Sequence, residues 1–382
     1  MKYFISVGEP SGDLHAAALI GNLSHIDRHA EFSFLGGDKM TEASGITPVI
    51  HIDEMSVMGF AEVLRKLPRI FRQIDVAKKY IASWKPDAVI LVDYPSFNLK
   101  IAKYAHSLGI KVFWYISPKV WVWKEYRVKA MKKYIDRLFC ILPFEPDYFA
   151  DKHGWTVRYV GNPSAEEILD CLERKSDFDS NLFRINNNLP FAKPLLALLP
   201  GSRRKEIESN LPVMVSAARS YPCFTPVIAR VGHIEQSCYD RYSDGIRVVT
   251  DATFDLLRAS QAALVTSGTA VLETALLKVP QVMLYRHSGS KYFYTLFRRL
   301  LKVKYFSLPN LINDSETVPE LVMHFCTPEA VSERLGHVIP GGDKYEQQQQ
   351  QYREMEEKLG NKAPAFEVAK DIYETTKGGI VC

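Results

Sequence analysis

The chain has 382 residues, of which 47% are apolar and 24% charged, the balance of a soluble globular protein long enough for two domains. The 48 basic and 44 acidic side chains leave a net charge of +4, too small to argue for nucleic acid as a partner. Six scattered cysteines without a C-x-x-C pair suit a reducing compartment and argue against a zinc site. The N-terminus, MKYFISVGEPSGD, reads as a first strand cut by glycine and proline rather than as a signal peptide, and no window offers the roughly 20 apolar residues of a membrane span. A cytoplasmic protein is expected.

Apolar strand-like runs at residues 3–7, 31–35, 88–92, 111–116, 138–142, 195–199, 225–229, 262–266 and 281–285 alternate with helical patterns. That alternation predicts an α/β fold with parallel sheets covered by helices on both faces. Ligands of such sheets bind beyond the carboxyl ends of the strands, so the loops that follow strands are the places to search.

The first of these loops, GEPSGD from Gly8 to Asp13, matches neither G-x-G-x-x-G nor a G-x-x-x-x-G-K phosphate loop. Ser11 and Asp13 are explained as caps of the next helix. Glu9, before a proline at the mouth of a crevice, is the candidate for function. Residues 56–82 mix dense Lys and Arg with Phe60, Leu64, Leu67, Ile70, Phe71 and Ile74, a helix interrupted by Pro68. Its basic-edged apolar face suits a membrane headgroup region or, as with most amphipathic helices, the protein core. In VDYPSFN, Asp93 ends a strand and could take a proton from an attacking hydroxyl, or cap the helix beginning near Asn98. The aromatic and basic run YISPKVWVWKEYR suits a sugar, a lipid edge or an interface alike.

A domain boundary is expected at Gly161–Pro163. Asp177-Phe178-Asp179 has the D-x-D form of some metal sites but sits in a polar surface segment, not after a strand. In LLALLPGSRRKEIESN a buried strand, Leu195 to Leu199, is stopped by Pro200 and Gly201, and Ser202 can cap the following helix. Its N–H groups, with Arg203 and Arg204 beside them, suit a phosphate. In VTSGTAVLETALL the Ser267-Gly268-Thr269 turn opens a second helix in the same manner, and Glu273 lies one turn further on the same side, within reach of a ribose diol. Two anion turns with a carboxylate behind one of them indicate a nucleotide diphosphate. Residues 285–306 hold six Lys or Arg, seven aromatics and no acid, a surface for anionic lipid or for a homodimer interface. Asn310 follows at a strand-to-helix turn, and the tail EQQQQQYREMEEKLG reads as a polar helix.

Taken in order, GEPSGD, MGFAEVL, YPSFN, VWVW, GNP, LLPGSRRKEI, SGTAVLE and SLPN resemble the lipid-A-disaccharide synthases over nearly the full length. The resemblance implies an inverting glycosyltransferase of GT-B type, two Rossmann-like doubly wound domains with the active site in the cleft between them. It implies condensation of UDP-2,3-diacylglucosamine with 2,3-diacylglucosamine 1-phosphate (lipid X) to the β-1,6-linked lipid A disaccharide 1-phosphate with release of UDP, without metal or other cofactor. Residues 1–162 would form the acceptor and lipid domain and 163–344 the UDP-sugar domain, with a helix at 345–382 packing back on the first. Arg203 would neutralise the diphosphate, Ser202 and Ser267, Gly268 and Thr269 would hold its oxygens, Glu273 would bind the ribose and Asn310 the donor. Glu9 and Asp13 would face the sugars, and Phe60, Glu62, Leu64, Leu67, Phe71, Ser96 and Asn98 would line the acceptor and lipid surface.

One position departs from the pattern: many relatives carry an acid where this chain has Ser96, which moves the role of base to Asp93, with Glu9 as the other candidate. The acyl-bearing substrates account for the apolar-basic surfaces, so peripheral association with the cytoplasmic face of the inner membrane is expected. A UDP-N-acetylglucosamine 2-epimerase would share the UDP turns but have no use for those surfaces. A non-enzymatic lipid-binding or scaffolding protein would keep the surfaces and dispense with Arg203 and Glu273.

Overall fold

A computed structural model of the chain describes residues 1–55, 60–286 and 303–379, with the backbone alone for 60–67 and 379. The chain divides into two compact units, Met1–Pro163 with Asn361–Cys382, and Ser164–Gly360.

The first unit is built on a seven-stranded sheet: β1 (Lys2–Ser6), β2 (Glu31–Gly36), β3 (Ile50–His51), β4 (Ala88–Val92), β5 (Lys111–Tyr115), β6 (Arg137–Cys140) and β7 (Arg158–Tyr159). The order is β3-β2-β1-β4-β5-β6-β7 and every pairing is parallel. Successive strand residues face opposite sides. Ile5, Ile90 and Phe113 pack with Leu19 and Leu23 of the helix Pro10–Ile26 and with Val368 and Ile372 of the helix Pro364–Gly379. Phe4, Val89, Leu91 and Trp114 pack on the other side with Ile74, Ala77 and Ile81 of the helix Phe60–Trp84 and Ile101 of the helix Pro95–Ser107. Burial on both faces is why β4 reads as the unbroken run AVILV. The helix Phe60–Trp84 runs for 25 residues through Pro68, where the sequence predicted an interruption. Proline removes one intrahelical donor there, but its fixed φ is compatible with a helix.

The second unit carries β8 (Leu195–Leu199), β9 (Thr225–Arg230), β10 (Arg247–Thr250), β11 (Ser260–Thr266), β12 (Gln281–Tyr285) and β13 (Glu320–Val322), again all parallel, in the order β10-β9-β8-β11-β12-β13. Both units are therefore Rossmann-like, doubly wound sheets. The predicted strands are the interior ones. The strands that the sequence did not announce, β3, β7, β10 and β13, are the sheet edges among the described residues. Edge strands are short and half-covered, so no apolar run marks them: β7 is Arg-Tyr and β10 is Arg-Val-Val-Thr.

The tail differs from the single helix expected over 345–382. It forms two helices, Tyr345–Leu359 and Pro364–Gly379, separated at Gly360 with φ 64°. The glutamine run fastens the first of them to the second unit. Gln348 is buried, accepts from the Gln281 N–H at 3.0 Å and donates to the carbonyls of Gln281 at 3.2 Å and Thr317 at 3.1 Å.

Candidate active site

In the first unit the strand order reverses between β1 and β4, the place where doubly wound sheets hold ligands. The loop after β1 carries Glu9 and the loop after β4 carries Asp93, so the reversal sets the two carboxylate-bearing loops side by side. Glu9 is the N-cap of the helix that starts at Pro10, is exposed, and makes no side-chain cap bond. Asp93 does not cap the next helix either, because the N-cap there is Tyr94. The Asp93 carboxylate instead accepts a hydrogen bond from the backbone of Tyr94.

Asp93 and Tyr94 occupy the left-handed region in succession, with φ 44° and 47°. Such conformations cost non-glycine residues roughly 1–3 kcal/mol each and persist where the surroundings over-determine them. Here Gly8 is part of the surroundings: a Cβ on it would lie 2.3 Å from Tyr94 Cγ, so only glycine admits the ring. Asp93 is exposed to solvent at the strand end. Burial pushes its carboxyl up to about 6, the charge of Glu9 adds to the rise, and the ammonium of Lys119 opposes it. Lys119 stands on the loop after β5, which leaves the strand through a left-handed Ile116 (φ 66°), a strained conformation for a β-branched residue.

Other expected members of this site fall elsewhere. Asp13 is buried and its carboxylate accepts the N–H groups of Gly37 at 2.6 Å and Lys39 at 3.0 Å. It caps the helix Asp38–Ser44 instead of facing a sugar. Asn98 is fully buried, which removes it from any acceptor or lipid surface. Ser96 is exposed and its Oγ accepts from Arg127 Nη2 at 2.8 Å. Phe71 is 50% exposed with Lys100 Nζ 3.9 Å from its ring centroid. The side chains of Phe60, Glu62, Leu64 and Leu67 lie outside the described residues, as does most of the basic aromatic stretch at 285–306.

The VWVW segment splits in two. Trp121 is buried against Phe144 and donates from Nε1 to Glu145 Oε1 at 3.1 Å, whereas Trp123 and Tyr126 are exposed. Glu145, which sequence reasoning missed, is almost wholly buried, also accepts the Leu142 N–H at 3.1 Å, and is pushed by burial up to about 7. Its only signal was a second Glu-Pro helix start like that of Glu9-Pro10.

The second unit repeats the arrangement. Its order reverses between β8 and β11, which places the Pro200–Arg203 turn beside the Ser267–Thr269 turn. Each opens a helix, Arg204–Ala218 and Thr269–Leu276, whose first N–H groups have no intrahelical partner. Ser202 is not the cap; Arg203 is. The Ser202 N–H is taken by Glu206 Oε2 at 3.1 Å, and the other oxygen of Glu206 lies 3.0 Å from Arg203 Nη1. Gly201, with φ 113°, serves this contact: a Cβ there would lie 2.6 Å from Glu206 Oε2. An acid of the chain itself thus takes the Ser202 N–H and the Arg203 guanidinium at this turn.

In the second turn the Ser267 N–H bonds the Leu284 carbonyl at 2.8 Å, and Gly268 is the helix N-cap. Thr266, immediately before it, is buried, and its hydroxyl has no hydrogen-bond partner among the described residues. A buried hydroxyl without a partner is uncommon in folded proteins, and the sequence did not reveal this one. Glu273 is half-buried; burial pushes it up to about 7, the charge of Glu167 adds to this, and a hydrogen bond from Thr269 opposes it. Asn310 departs from its expected role. It is buried, donates to the Val318 carbonyl and Glu320 Oε1 at 2.8 Å each, and accepts from the Val318 N–H at 2.7 Å, so its amide anchors a turn. In the D-x-D segment, Asp179 caps the helix Ser180–Asn186 by accepting the Asn181 N–H at 2.7 Å.

A family model described as lipid-A-disaccharide synthetase matches residues 3–369. Among relatives, the lipid-A-disaccharide synthase of Myxococcus xanthus is 37% identical over all of this chain and 99% of its own length, and that of Acidobacterium capsulatum is 36% identical over 93% and 91%. Two solved structures share the fold at low identity. The UDP-GlcNAc 2-epimerase of Neisseria meningitidis has a TM-score of 0.65 at 14% identity, covering 99% of this chain and 100% of its own. A spinosyn rhamnosyltransferase has a TM-score of 0.61 at 11% identity, covering 98% and 100%. The structural likeness gives the GT-B-type fold and no more, whereas the match in sequence spans both reversal sites. The chain belongs to the lipid-A-disaccharide synthase family, glycosyltransferases of lipid A biosynthesis.

Proposed function

We propose that the chain condenses UDP-2,3-diacylglucosamine with 2,3-diacylglucosamine 1-phosphate, with Asp93 as the general base and the two turns of the second unit as the seat of UDP. The 6-hydroxyl of the acceptor attacks the anomeric carbon of the donor. As the new C–O bond forms, the bond to the diphosphate breaks and UDP leaves with its electron pair. The hydroxyl proton passes to Asp93. The observation that carries this assignment is Asp93 itself: an uncapped carboxylate at a strand-order reversal, in a strained backbone, with its pKa raised to about 6. A base so tuned is largely ionised at neutral pH and still basic enough to take a proton. Glu9 beside it raises that basicity and is placed to hold the sugar hydroxyls.

In the second unit Arg203 and the helix-opening N–H groups meet the diphosphate, stabilising the charge that grows on it as the bond breaks. Binding displaces Glu206 from Ser202 and Arg203. Glu273 takes the ribose diol, and its raised pKa makes the carboxyl a donor as well as an acceptor near pH 7.

Exposed Phe71 beside Lys100, and Trp123 beside Lys124, give the first unit aromatic rings paired with cations, which supports contact with an anionic lipid surface. Peripheral attachment to the inner leaflet follows; among the described residues no helix is long and apolar enough to cross a membrane. Flotation with anionic liposomes should carry the protein, and protein left at the bottom of the gradient would count against this part.

The reaction is tested with both acylated substrates in mixed micelles containing EDTA. Acceptor-dependent release of UDP in step with a disaccharide product, read by mass spectrometry, is the expected result. UDP released equally without acceptor would indicate a hydrolase instead.

A further inference from the structure

We propose that Asn98 is a positioning residue, a clip between the ends of β1 and β4 that sets the placement of Asp93 and Glu9. It rests on the reading of Asp93 as the base. Nδ2 donates to the carbonyls of Asp93 at 2.8 Å, Val92 at 3.2 Å and Ser6 at 3.2 Å, and Oδ1 accepts from Ser6 Oγ at 2.7 Å. Two amide protons are shared among three acceptors, and no polar capacity of the donor side is left over. The side chain is fully buried, and its bonds to Ser6 and Val92 are shielded from competing water, while the bond to the Asp93 carbonyl lies at the edge of the buried region.

The placement of these bonds gives the residue its role. The β1–β4 ladder pairs Ser6 with Leu91 and then stops. Beyond that pair the two chains diverge toward Glu9 and Asp93, and Asn98 supplies the hydrogen bonds that hold them at the point of divergence. It also holds the carbonyl of Asp93, which belongs to the peptide joining the two left-handed residues, Asp93 and Tyr94. Fixing that peptide fixes the direction in which the Asp93 side chain leaves the backbone. The chemistry demands a carboxamide: leucine would fill the space without a donor, and aspartate would set a carboxylate against three carbonyls.

A merely structural role predicts lost stability alone. A positioning role predicts a changed acid limb of the pH profile as well. For Asn98→Ala we expect kcat to fall by about a hundredfold, the cost of a misplaced reacting group, with the acid limb displaced and UDP affinity within about twofold of wild type. UDP affinity is the internal control, because the turns assigned to it lie in the other unit. Ser6→Ala removes only the Oδ1 partner and should change kcat in the same direction by about fivefold, the worth of one hydrogen bond.

A folded Asn98→Ala protein with wild-type kcat and an unmoved acid limb would overturn the proposal. If that variant does not fold, Ser6→Ala decides, and no change in its kcat or acid limb has the same meaning. Asp93→Asn measured alongside separates the two levels of the argument. Full turnover there removes Asp93 as the base, whereas an inactive Asp93→Asn beside a fully active Asn98→Ala removes only the clip.

Discussion

Glu206 holds Arg203: the carboxylate Oε1 lies 3.0 Å from Nη1, and the second oxygen receives the Ser202 N–H at 3.1 Å. The turn proposed for a diphosphate therefore already contains an anion, so the proposal predicts that UDP competes with it. Glu206→Gln retains an acceptor for one of these donors and removes the competing charge. We expect UDP to bind about fivefold more tightly to this variant at low ionic strength, the effect of roughly 1 kcal/mol at a partly exposed ion pair. Titration calorimetry measures it. Weaker binding would mean that Glu206 orients Arg203 for the ligand and does not oppose it. Arg203→Ala should weaken UDP binding at least tenfold in the same assay, since charge-assisted bonds to phosphate are worth about 1.5–3 kcal/mol.

Asp93 links turnover to pH. With its carboxyl raised to about 6, kcat/KM should fall as the pH drops through 6, because the base becomes protonated. Asp93→Asn should lower kcat by about a hundredfold or more. Ser96→Ala should lower it less, since the Ser96 hydroxyl serves as an acceptor for Arg127. The same shift has a consequence for stability. A carboxyl whose folded pKa lies above its unfolded value favours the fold only while protonated, so its contribution is complete below about pH 4 and is lost as the pH rises through 6. Because Asp93 is exposed and solvent screens part of this effect, the Asp93→Asn protein should melt only slightly higher than wild type at pH 7 and above, with the gap closing toward pH 4. Equal melting profiles at every pH would show that the carboxylate is not strained by its surroundings.

Glu145 is the buried counterpart. Its folded pKa is raised to about 7, so wild-type stability should decline between about pH 4.5 and 7, and Glu145→Gln should flatten that part of the curve. Glu145→Ala is a different experiment. It strands the Trp121 indole N–H and the Leu142 N–H in a dry interior, at a cost of about 2 kcal/mol or more, visible as a lower denaturant midpoint.

Gly8→Ala tests the packing that shapes the reversal site. Its methyl group would enter the ring of Tyr94, and both neighbours are buried or half-buried, so the ring must move. Overpacking of this kind costs about 1–3 kcal/mol. Because Tyr94 follows Asp93 directly, the loss of turnover should exceed what a stability change of that size explains at assay temperature. Wild-type kcat would show that the Tyr94 ring has no part in placing its neighbour.

The interior strands could be read in the sequence because burial on two faces leaves an uninterrupted apolar run, as in Leu195–Leu199. That Glu9, Asp93 and the two helix-opening turns follow strand ends was legible for a related reason, since glycine and proline mark where those strands stop. Asp13, Asn98 and Asn310 looked the same as those residues. A polar side chain in a loop carries no local sign of whether its partner will be a ligand or a backbone group such as the Gly37 N–H, brought near by the fold. Thr266 and Glu145 were invisible for the opposite reason, since only tertiary burial leaves an ordinary hydroxyl without a partner or raises the pKa of a helix-starting glutamate.

The pause at Gly360 makes the second unit an insertion in the first, which resumes at Asn361 and supplies Val368, Ala369 and Ile372 to the core around Ile5 and Ile90. A stop codon just after Gly360 would spare every residue of the second unit and uncover the core of the first. On the proposed assignment of UDP to the second unit, a nonsense allele this late in the gene should behave as a null for disaccharide synthesis while its product still retains UDP, so a nucleotide-binding screen would pass a protein that an activity screen rejects.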